Sequence, residues 1–316
     1  MRVLITGANG FVGRYLAHFM KQTGHEVIGT VWGHEGEPPE GIKTVSVNLL
    51  DFDAMAKTVQ EVRPEWIVHL ASVSFLPESF VHVLDAWRIN LFGTLHLLEA
   101  ARLFGTRTRI LYVSSAAVYG LVNEDQIPLT ETMPLRPAEP YGASKAAGEL
   151  AAMQYMQSFG LPVICARTFN YTGPGQPSMF VCSEFAWMIA MAEAGKMPPV
   201  LNVGNLKSRR DITDVRDLVV AYAGLVEKGV PGEVYNVASG RDIPVSQVLD
   251  ILLGMTSIKV QVKVDKGKIR PVEFPVVVGD SAKIAEAIGW RPQISLEQTL
   301  ADTLNWWRVK VAENKG

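Results

Sequence analysis

The chain has 316 residues, 48% of them apolar and 20% charged, with a formal net charge of −2. Such a composition is typical of a soluble globular protein with one large or two medium domains, and it argues against a disordered chain or a nucleic-acid-binding protein. Cys165 and Cys182 each lie in an apolar run, so we expect reduced core thiols and neither a disulfide nor a metal site. We find no leader pattern and no apolar run of membrane length, which favours a cytoplasmic protein that does not bind membranes.

The chain starts with a glycine-rich turn between a predicted strand and a predicted helix. Residues 2–6 form a short apolar run, and helical periodicity begins at residue 14. The glycines between them are spaced to let the backbone turn tightly and approach a pyrophosphate, which the helix N-terminus then binds. A glycine trio alone is a weak signal, but its place between strand and helix favours a dinucleotide site. The residues predicted to bind the dinucleotide here are Gly7, Gly10, Phe11, Val12 and Gly13.

The choice between NAD and NADP depends on the end of the second predicted strand, residues 25–30. An NAD site usually has an acidic residue there for the ribose diol, whereas this chain continues with Val31 and Trp32 and offers neither an acid nor an arginine. Arg14 follows the last glycine and is placed either to face a 2′-phosphate or to lie solvated on the surface. We expect NADP or NAD, with a slight preference for NADP.

Further strands and helices alternate along the first half of the chain. Strands are predicted over 44–47, 66–72, 109–113 and 162–167, and a long core helix over 90–100. This alternation predicts an α/β fold with a doubly wound parallel Rossmann sheet, which binds ligands at the carboxyl ends of its strands. The cofactor residues predicted from these positions are Asn48, Leu49, Leu70, Ala71, Ser72 and Asn90.

The second half of the chain leaves this alternation and indicates a smaller, interleaved C-terminal α/β domain for the substrate. Residues 1–168 are predicted to bind NAD(P), residues 169–316 to bind the substrate, and about 212–240 to complete the first domain, because residues 234–238 return to the sheet. Helices are predicted over 180–193, 211–229, 245–255 and 281–289, and a strand over 258–264. Trp306 and Trp307 are expected to close the last helix.

Three residues near the middle of the chain have the types needed for proton transfer. Tyr141 and Lys145 are four residues apart, so on a helix they share one face. A nearby ammonium group is expected to lower the pKa of the phenol, and Ser115, at the end of the fifth strand, is placed to hold the reacting oxygen. The alternative is an amphipathic helix that carries Tyr and Lys without a catalytic role.

The motifs in combination resemble a known superfamily. Residues 6–13 (TGANGFVG), 69–71 (HLA), 114–120 (SSAAVYG) and 141–145 (YGASK) resemble, in this order, the nucleotide-sugar branch of the extended short-chain dehydrogenases/reductases. Residues 167–176, 203–217 and 270–273 are similar to the families that act on GDP-mannose derivatives. The greatest similarity is to GDP-4-keto-6-deoxymannose reductases and, next, GDP-mannose 4,6-dehydratases.

The resemblance implies a role for each candidate residue. Tyr141 would exchange a proton with the sugar C4 oxygen, Ser115 would hold that oxygen, and Lys145 would lower the phenol pKa and bind the nicotinamide ribose. The substrate residues implied in the same way are Asn170, Arg210, Arg270 and Glu273, the arginines for the diphosphate and Glu273 for the nucleotide ribose. Arg209 is an alternative to Arg210. The resemblance also implies a homodimer formed through helices 85–104 and 143–159.

One departure from the family pattern bears on the reaction. Dehydratases carry an acidic residue after the catalytic Ser or Thr to remove the C5 proton, whereas this chain has Ala116 and Ala117. We therefore expect NAD(P)H-dependent reduction of the C4 ketone of a GDP-4-keto-6-deoxyhexose. Because the alanine pair is typical of sugar 4-epimerases, a nucleotide-sugar 4-epimerase with tightly bound NAD is the alternative. Dehydration and a non-catalytic sensor are less favoured.

Overall fold

The protein is built on one seven-stranded sheet. The structure, a computed structural model, describes residues 1–33, 36–74, 76–105, 107–268 and 274–313, without the side chains of residues 76–78 and 266. The strands of the sheet are β1 (Arg2–Thr6), β2 (Glu26–Val31), β3 (Lys43–Ser46), β4 (Trp66–His69), β5 (Arg109–Ser115), β6 (Val163–Thr168) and β11 (Val234–Val237). Their order is β11-β6-β5-β4-β1-β2-β3, and every neighbouring pair is parallel. The predicted Rossmann sheet is confirmed.

The remaining elements cover this sheet or form the second half of the chain. The helices are α1 (Phe11–Gln22), α2 (Phe52–Val62), α3 (Leu76–Val81), α4 (Val83–Trp87), α5 (Thr94–Phe104), α6 (Pro140–Phe159), α7 (Val181–Glu193), α8 (Val215–Lys228), α9 (Val245–Leu253), α10 (Ala282–Ile288) and α11 (Leu296–Glu313). The short strands are β7 (Asn170–Thr172), β8 (Val200–Val203), β9 (Arg209–Arg210), β10 (Ile212–Asp214), β12 (Ile243–Pro244), β13 (Gln261–Val264) and β14 (Val276–Val277).

Both faces of the sheet are buried, which explains the continuous apolar runs of its strands. Val3 and Ile5 of β1 point to one side and pack with α1 and α8, whereas Leu4 points to the other side and packs with α2, α5 and α6. Cys165 and Cys182 are buried free thiols, as expected.

The second half of the chain has its own apolar cluster, formed mainly by α7, α9 and α11 with β8. The chain returns to the main sheet at β11, which pairs with β6. The division into residues 1–168 and 169–316, completed by about 212–240, stays a prediction. Among the described residues, no helix is both long and apolar enough to cross a membrane. The cytoplasmic location also stays a prediction.

Two local expectations were wrong. Residues 211–214 do not open a helix: β10 pairs with β7, and Asp214 then caps α8 by accepting a hydrogen bond from the backbone N–H of Arg216 at 2.7 Å. The aspartate, rather than the apolar periodicity, therefore sets the start of α8. Trp306 and Trp307 do not close the last helix, because α11 continues to Glu313.

Candidate active site

The glycine-rich turn is packed so closely that side chains are excluded. Gly7 has φ +69°, and a Cβ there would lie 2.9 Å from the Cα of Ala71. A Cβ on Gly13 would lie 2.2 Å from the carbonyl oxygen of Gly7. Gly10 is the N-cap of α1 and provides no side-chain cap, so the first N–H groups of the helix are left to other acceptors. These residues fit a dinucleotide diphosphate, whose charge the helix N-terminus favours.

The residues expected to contact the adenosine half of the dinucleotide lie beyond this turn. Arg14 is half-buried on the first turn of α1, and Trp32, just after β2, is 58% exposed. Asn48, after β3, uses its side-chain oxygen to accept the N–H of Leu50 at 3.0 Å. Leu49 is buried, and its side chain approaches Gly93.

A buried histidine holds the loop of residues 70–72 beside the glycine turn. His69 Nδ1 lies 2.7 Å from the Thr6 hydroxyl, which also accepts the N–H of Ala71, and His69 Nε2 lies 3.0 Å from the Thr94 hydroxyl. Since Thr94 donates its own proton to the carbonyl of Asn90, His69 must donate from Nε2 and accept at Nδ1. Burial lowers the pKa of His69 to about 3, so the ring stays neutral.

Asn90 forms hydrogen bonds with two segments of the site, the loop after β4 and α6. It lies in a π-helical turn, Arg88–Gly93, that joins α4 to α5, and such turns are frequent at functional sites. The Asn90 amide exchanges hydrogen bonds with the backbone of Val73 (2.9 and 3.2 Å) and donates to Ser144 at 2.9 Å. Asn90 therefore joins the loop after β4 to α6, and its contact with the cofactor stays a prediction.

The three candidate catalytic residues lie at the carboxyl edge of the sheet. Pro140 starts α6, and Glu139 caps it by accepting the N–H groups of Tyr141 and Gly142 at 2.9 and 2.8 Å. Tyr141 and Lys145 lie one turn apart and both are buried. Ser115 ends β5 and accepts the N–H of Ala117 at 3.2 Å, which starts a 3₁₀ turn, Ala116–Tyr119.

The electrostatics of Tyr141 correct the expectation from the sequence. Burial raises the pKa of the phenol, and the neighbouring Tyr171 raises it further, whereas a hydrogen bond with Ser115 lowers it. The expected lowering of the phenol pKa is wrong, because burial raises this pKa. The phenol of Tyr141 is therefore protonated at neutral pH and can act as an acid.

Lys145 is itself affected by burial. Removal from water lowers the pKa of its ammonium group to about 8, against opposing contributions from Cys165 and Glu149. Its Nζ lies 4.9 Å from the centre of the Tyr112 ring, a cation–π contact. Lys145 is thus a cation that loses its proton just above neutral pH.

A cavity of about 200 Å³ is lined by residues of the second half of the chain. It begins at Asn170 and Tyr171 of β7 and reaches Arg210 of β9 and Phe274. Tyr171, which lines this cavity, is also the residue whose phenol raises the pKa of Tyr141.

The structure separates the two neighbouring arginines. Arg210 lines the cavity and donates to the carbonyl of Phe274 at 2.7 Å. Arg209 instead forms ion pairs with Glu124 and Asp242 at the surface. Of the two, Arg210 is the one that lines the cavity. Arg270 and Glu273 lie outside the described residues.

Sequence reasoning missed several residues of the site. Tyr171 stacks on Phe11 at the start of α1, with ring centres 6.2 Å apart, and also lines the cavity. Glu149 and Arg167 form a buried ion pair below Lys145. A local signal existed for Glu149, which is four residues after Lys145 and therefore on the same face of α6.

The position of Ser115, Tyr141 and Lys145, at the same edge of the sheet as the glycine-rich turn, is that of an NAD(P)-dependent oxidoreductase of the extended short-chain dehydrogenase/reductase class. A family model for GDP-mannose 4,6 dehydratase matches residues 4–303. The chain belongs to this family.

Individual relatives agree with this assignment. A GDP-6-deoxy-D-mannose reductase from Pseudomonas aeruginosa is 33% identical over 312 residues, 99% of each chain. The solved structure of RMD from Pseudomonas aeruginosa complexed with NADPH has a TM-score of 0.87 at 32% identity and covers 98% of this chain and 100% of its own. A UDP-glucose 4-epimerase from Thermus thermophilus in complex with NAD has a TM-score of 0.88 at 28% identity, over 98% and 99% of the two chains.

Proposed function

We propose that the protein reduces the C4 ketone of a GDP-4-keto-6-deoxyhexose with NADPH. The observation that carries this proposal is a Ser–Tyr–Lys site without a carboxylate at the two positions after Ser115, which are Ala116 and Ala117. Reduction of a ketone needs one hydride and one proton, and the phenol of Tyr141 supplies the proton. The similarity to GDP-6-deoxy-D-mannose reductase supports the same reaction.

The residues divide the reaction between them. The reduced nicotinamide, when bound, supplies the hydride to C4. Ser115 hydrogen-bonds the C4 oxygen, and Tyr141, whose pKa is raised by burial, donates its proton to that oxygen as negative charge develops there. The Lys145 ammonium stabilises the tyrosinate that is left, because an opposite charge nearby favours the ionised phenol.

Dehydration is disfavoured by the same geometry. Removing the C5 proton needs a general base beside the sugar. Neither Ala116 nor Ala117 has a group that accepts a proton, and the nearby Glu139 is buried and binds the first N–H groups of α6. The reaction therefore stops at proton and hydride transfer.

We infer that the substrate binds in the cavity that Tyr171 lines. Asn170 would contact the sugar, and Arg210 the diphosphate, since a guanidinium group binds phosphate oxygens through two parallel N–H groups. Arg270 and Glu273 stay proposed substrate residues, Arg270 for the diphosphate and Glu273 for the nucleotide ribose.

One observation favours a second reaction, C4 epimerisation with tightly bound NAD. The Ala116–Ala117 pair is typical of 4-epimerases, and the UDP-glucose 4-epimerase from Thermus thermophilus has a similar fold. That reaction uses the same three residues but returns the hydride to the opposite face of the sugar.

A single experiment separates the two reactions. The purified protein is denatured to identify any released dinucleotide, and the native protein is mixed with NADPH or NADH and GDP-4-keto-6-deoxymannose while the absorbance of the reduced nicotinamide is followed. We expect stoichiometric oxidation by a protein that carries no bound dinucleotide. Tightly bound NAD without net oxidation of added cofactor would instead establish the epimerase.

Arg14 is proposed to select NADPH. Loss of a hydrogen bond to a charged group costs about 1.5–3 kcal/mol, so Arg14→Gln should weaken NADPH binding about 10–100-fold and leave NADH binding within about threefold. Dissociation constants from quenching of protein fluorescence measure this without turnover. Arg63→Gln, at the C-cap of α2, is the control. Equal losses for both dinucleotides would refute a 2′-phosphate contact.

We also infer a homodimer formed through α4–α5 and α6. These helices pack side by side and leave large apolar side chains exposed, among them Leu84 (68%), Phe92 (52%) and Leu150 (62%). The double substitution Leu84→Lys/Leu150→Lys is expected to give a folded monomer in sedimentation analysis. A wild-type protein that sediments as a monomer at micromolar concentration would refute the inference.

A further inference from the structure

A buried carboxylate lies directly below the catalytic lysine. Tyr141, Lys145 and Glu149 follow one another at intervals of four on α6, and Glu149 is only 2% exposed. One Glu149 oxygen accepts the hydroxyl proton of Ser114 at 2.6 Å, and the other accepts from Arg167 Nη2 at 2.6 Å and Nε at 3.1 Å. Glu149 therefore joins α6 to the ends of β5 and β6.

The other side of the Arg167 guanidinium binds the turn that follows Ser115. Its Nη1 donates to the hydroxyl of Tyr119 and to the carbonyl of Glu131, both at 3.0 Å. The Tyr119 hydroxyl in turn donates to Asn236 of β11 at 2.6 Å. The guanidinium thus has partners on several elements, and the hydrogen bonds restrict its position.

These contacts fix the chain on both sides of the catalytic serine, Ser115. Ser114 precedes Ser115 and is held by Glu149, whereas Tyr119 ends the 3₁₀ turn that Ser115 starts and is held by Arg167. Both ends of the short segment 114–119 therefore form hydrogen bonds with one ion pair. The carboxylate of that ion pair lies on α6, the helix of Tyr141 and Lys145.

Glu149 is also the negative charge that faces Lys145. The other titratable groups near this lysine are His69 of β4, Tyr112 of β5, and Tyr141 and Cys165. Burial raises the pKa values of Tyr112, Tyr141 and Cys165 and lowers that of His69, so each is neutral at neutral pH. Among the described residues near Lys145, the carboxylate that stabilises its ammonium group is Glu149.

We propose that the Glu149–Arg167 ion pair is a positioning device, which holds Ser115 at a set distance from Tyr141 and keeps Lys145 charged during the reaction. The proposal extends the proposed function to residues that touch neither cofactor nor substrate. A buried ion pair is weak evidence for stability, because the desolvation penalty offsets the attraction, so a role in positioning is the better explanation.

The effect of the Glu149 charge on Lys145 is tested with protein from which any bound dinucleotide has been removed. In Glu149→Gln, the pH at which Lys145 is half-reactive toward acetic anhydride, followed by mass spectrometry, should fall by about 1–2 pH units. The reading needs no substrate, so it stands even if the proposed reaction is wrong. Where Glu149→Gln does not fold, the double variant Glu149→Gln/Arg167→Gln keeps a hydrogen-bonded pair. Because it also removes the positive charge of Arg167, the Lys145 midpoint should still fall, but by less than in Glu149→Gln.

The positioning is tested by turnover. Ser114→Ala removes one tie and leaves the charges in place, so kcat should fall about 10-fold or more, with KM within threefold and the Lys145 midpoint unchanged. Asp217→Asn is the control, since Asp217 is a buried carboxylate on α8 that binds the N–H groups of Gln293 and Ile294 away from the site. The proposal is overturned if the Lys145 midpoint is the same in the charge variants and in Asp217→Asn, or if Ser114→Ala turns over like the wild type.

Discussion

Replacing Tyr141 by phenylalanine should lower kcat by about 10²–10⁴-fold, the usual contribution of a general acid. The phenol is buried, burial keeps its pKa raised, and its hydroxyl interacts with Ser115, so the variant loses the one proton that the reduction needs at C4. Phenylalanine fills the same space apart from the hydroxyl, and the fold should change little. The measurement is kcat with NADPH and the GDP-4-keto-6-deoxyhexose, alongside thermal unfolding.

Tyr155→Phe is the matched control for this change. Tyr155 lies on the same helix, and its hydroxyl donates to Glu99 at 3.1 Å, far along α6 from Tyr141. It should turn over at the wild-type rate. Near-normal turnover of Tyr141→Phe would contradict the assignment of the proton donor.

Replacing Lys145 by methionine should abolish most turnover and yet make the protein more stable. The native protein binds the lysine proton more weakly than the unfolded chain does, because burial lowers the pKa from 10.5 to about 8. This difference corresponds to about 3 kcal/mol of lost stability at pH values below 8. Methionine is similar in size and carries no charge, so the free energy of unfolding should rise by about 3 kcal/mol at pH 7.

The gain in stability should depend on pH in a defined direction. Wild-type stability rises as the pH passes from about 8 to 10.5, where the unfolded chain still holds the proton that the native protein has lost. The advantage of Lys145→Met should therefore shrink over this interval, as urea unfolding at pH 7 and pH 10 can test. Wild-type kcat/KM should fall above pH 8. A variant less stable than the wild type at pH 7 would contradict a costly buried ammonium group.

Lys283→Met serves as the control for the loss of a lysine. Lys283 lies half-exposed on α10 and pairs with Glu233 at 2.7 Å, an interaction of the kind that contributes less than about 1 kcal/mol. Its replacement should change the free energy of unfolding by less than that amount. The pH dependence of turnover should stay the same as in the wild type.

Much of the protein was predictable from local patterns. Continuous apolar strands alternating with helices indicated the parallel sheet, and the glycines at 7, 10 and 13 indicated the turn, because both patterns reflect constraints that act within a few residues. The pairing of Tyr141 with Lys145 likewise follows from helical spacing alone. Even the start of α8 could in principle have been predicted, since Asp214 is a good N-cap residue, although the apolar periodicity suggested an earlier start.

The sequence by itself therefore determined the fold class and the glycine-rich turn, and it indicated Ser115, Tyr141 and Lys145 as candidate catalytic residues. Tertiary structure decided the rest: that the pKa of Tyr141 is raised, that Arg210 rather than Arg209 lines the cavity, and that Asn90 supports a loop. It also brought Glu149 to Arg167, which lies on another element. The physical reason is that helical and strand periodicity are local, whereas burial and hydrogen-bond partners depend on segments that meet only when the chain has folded.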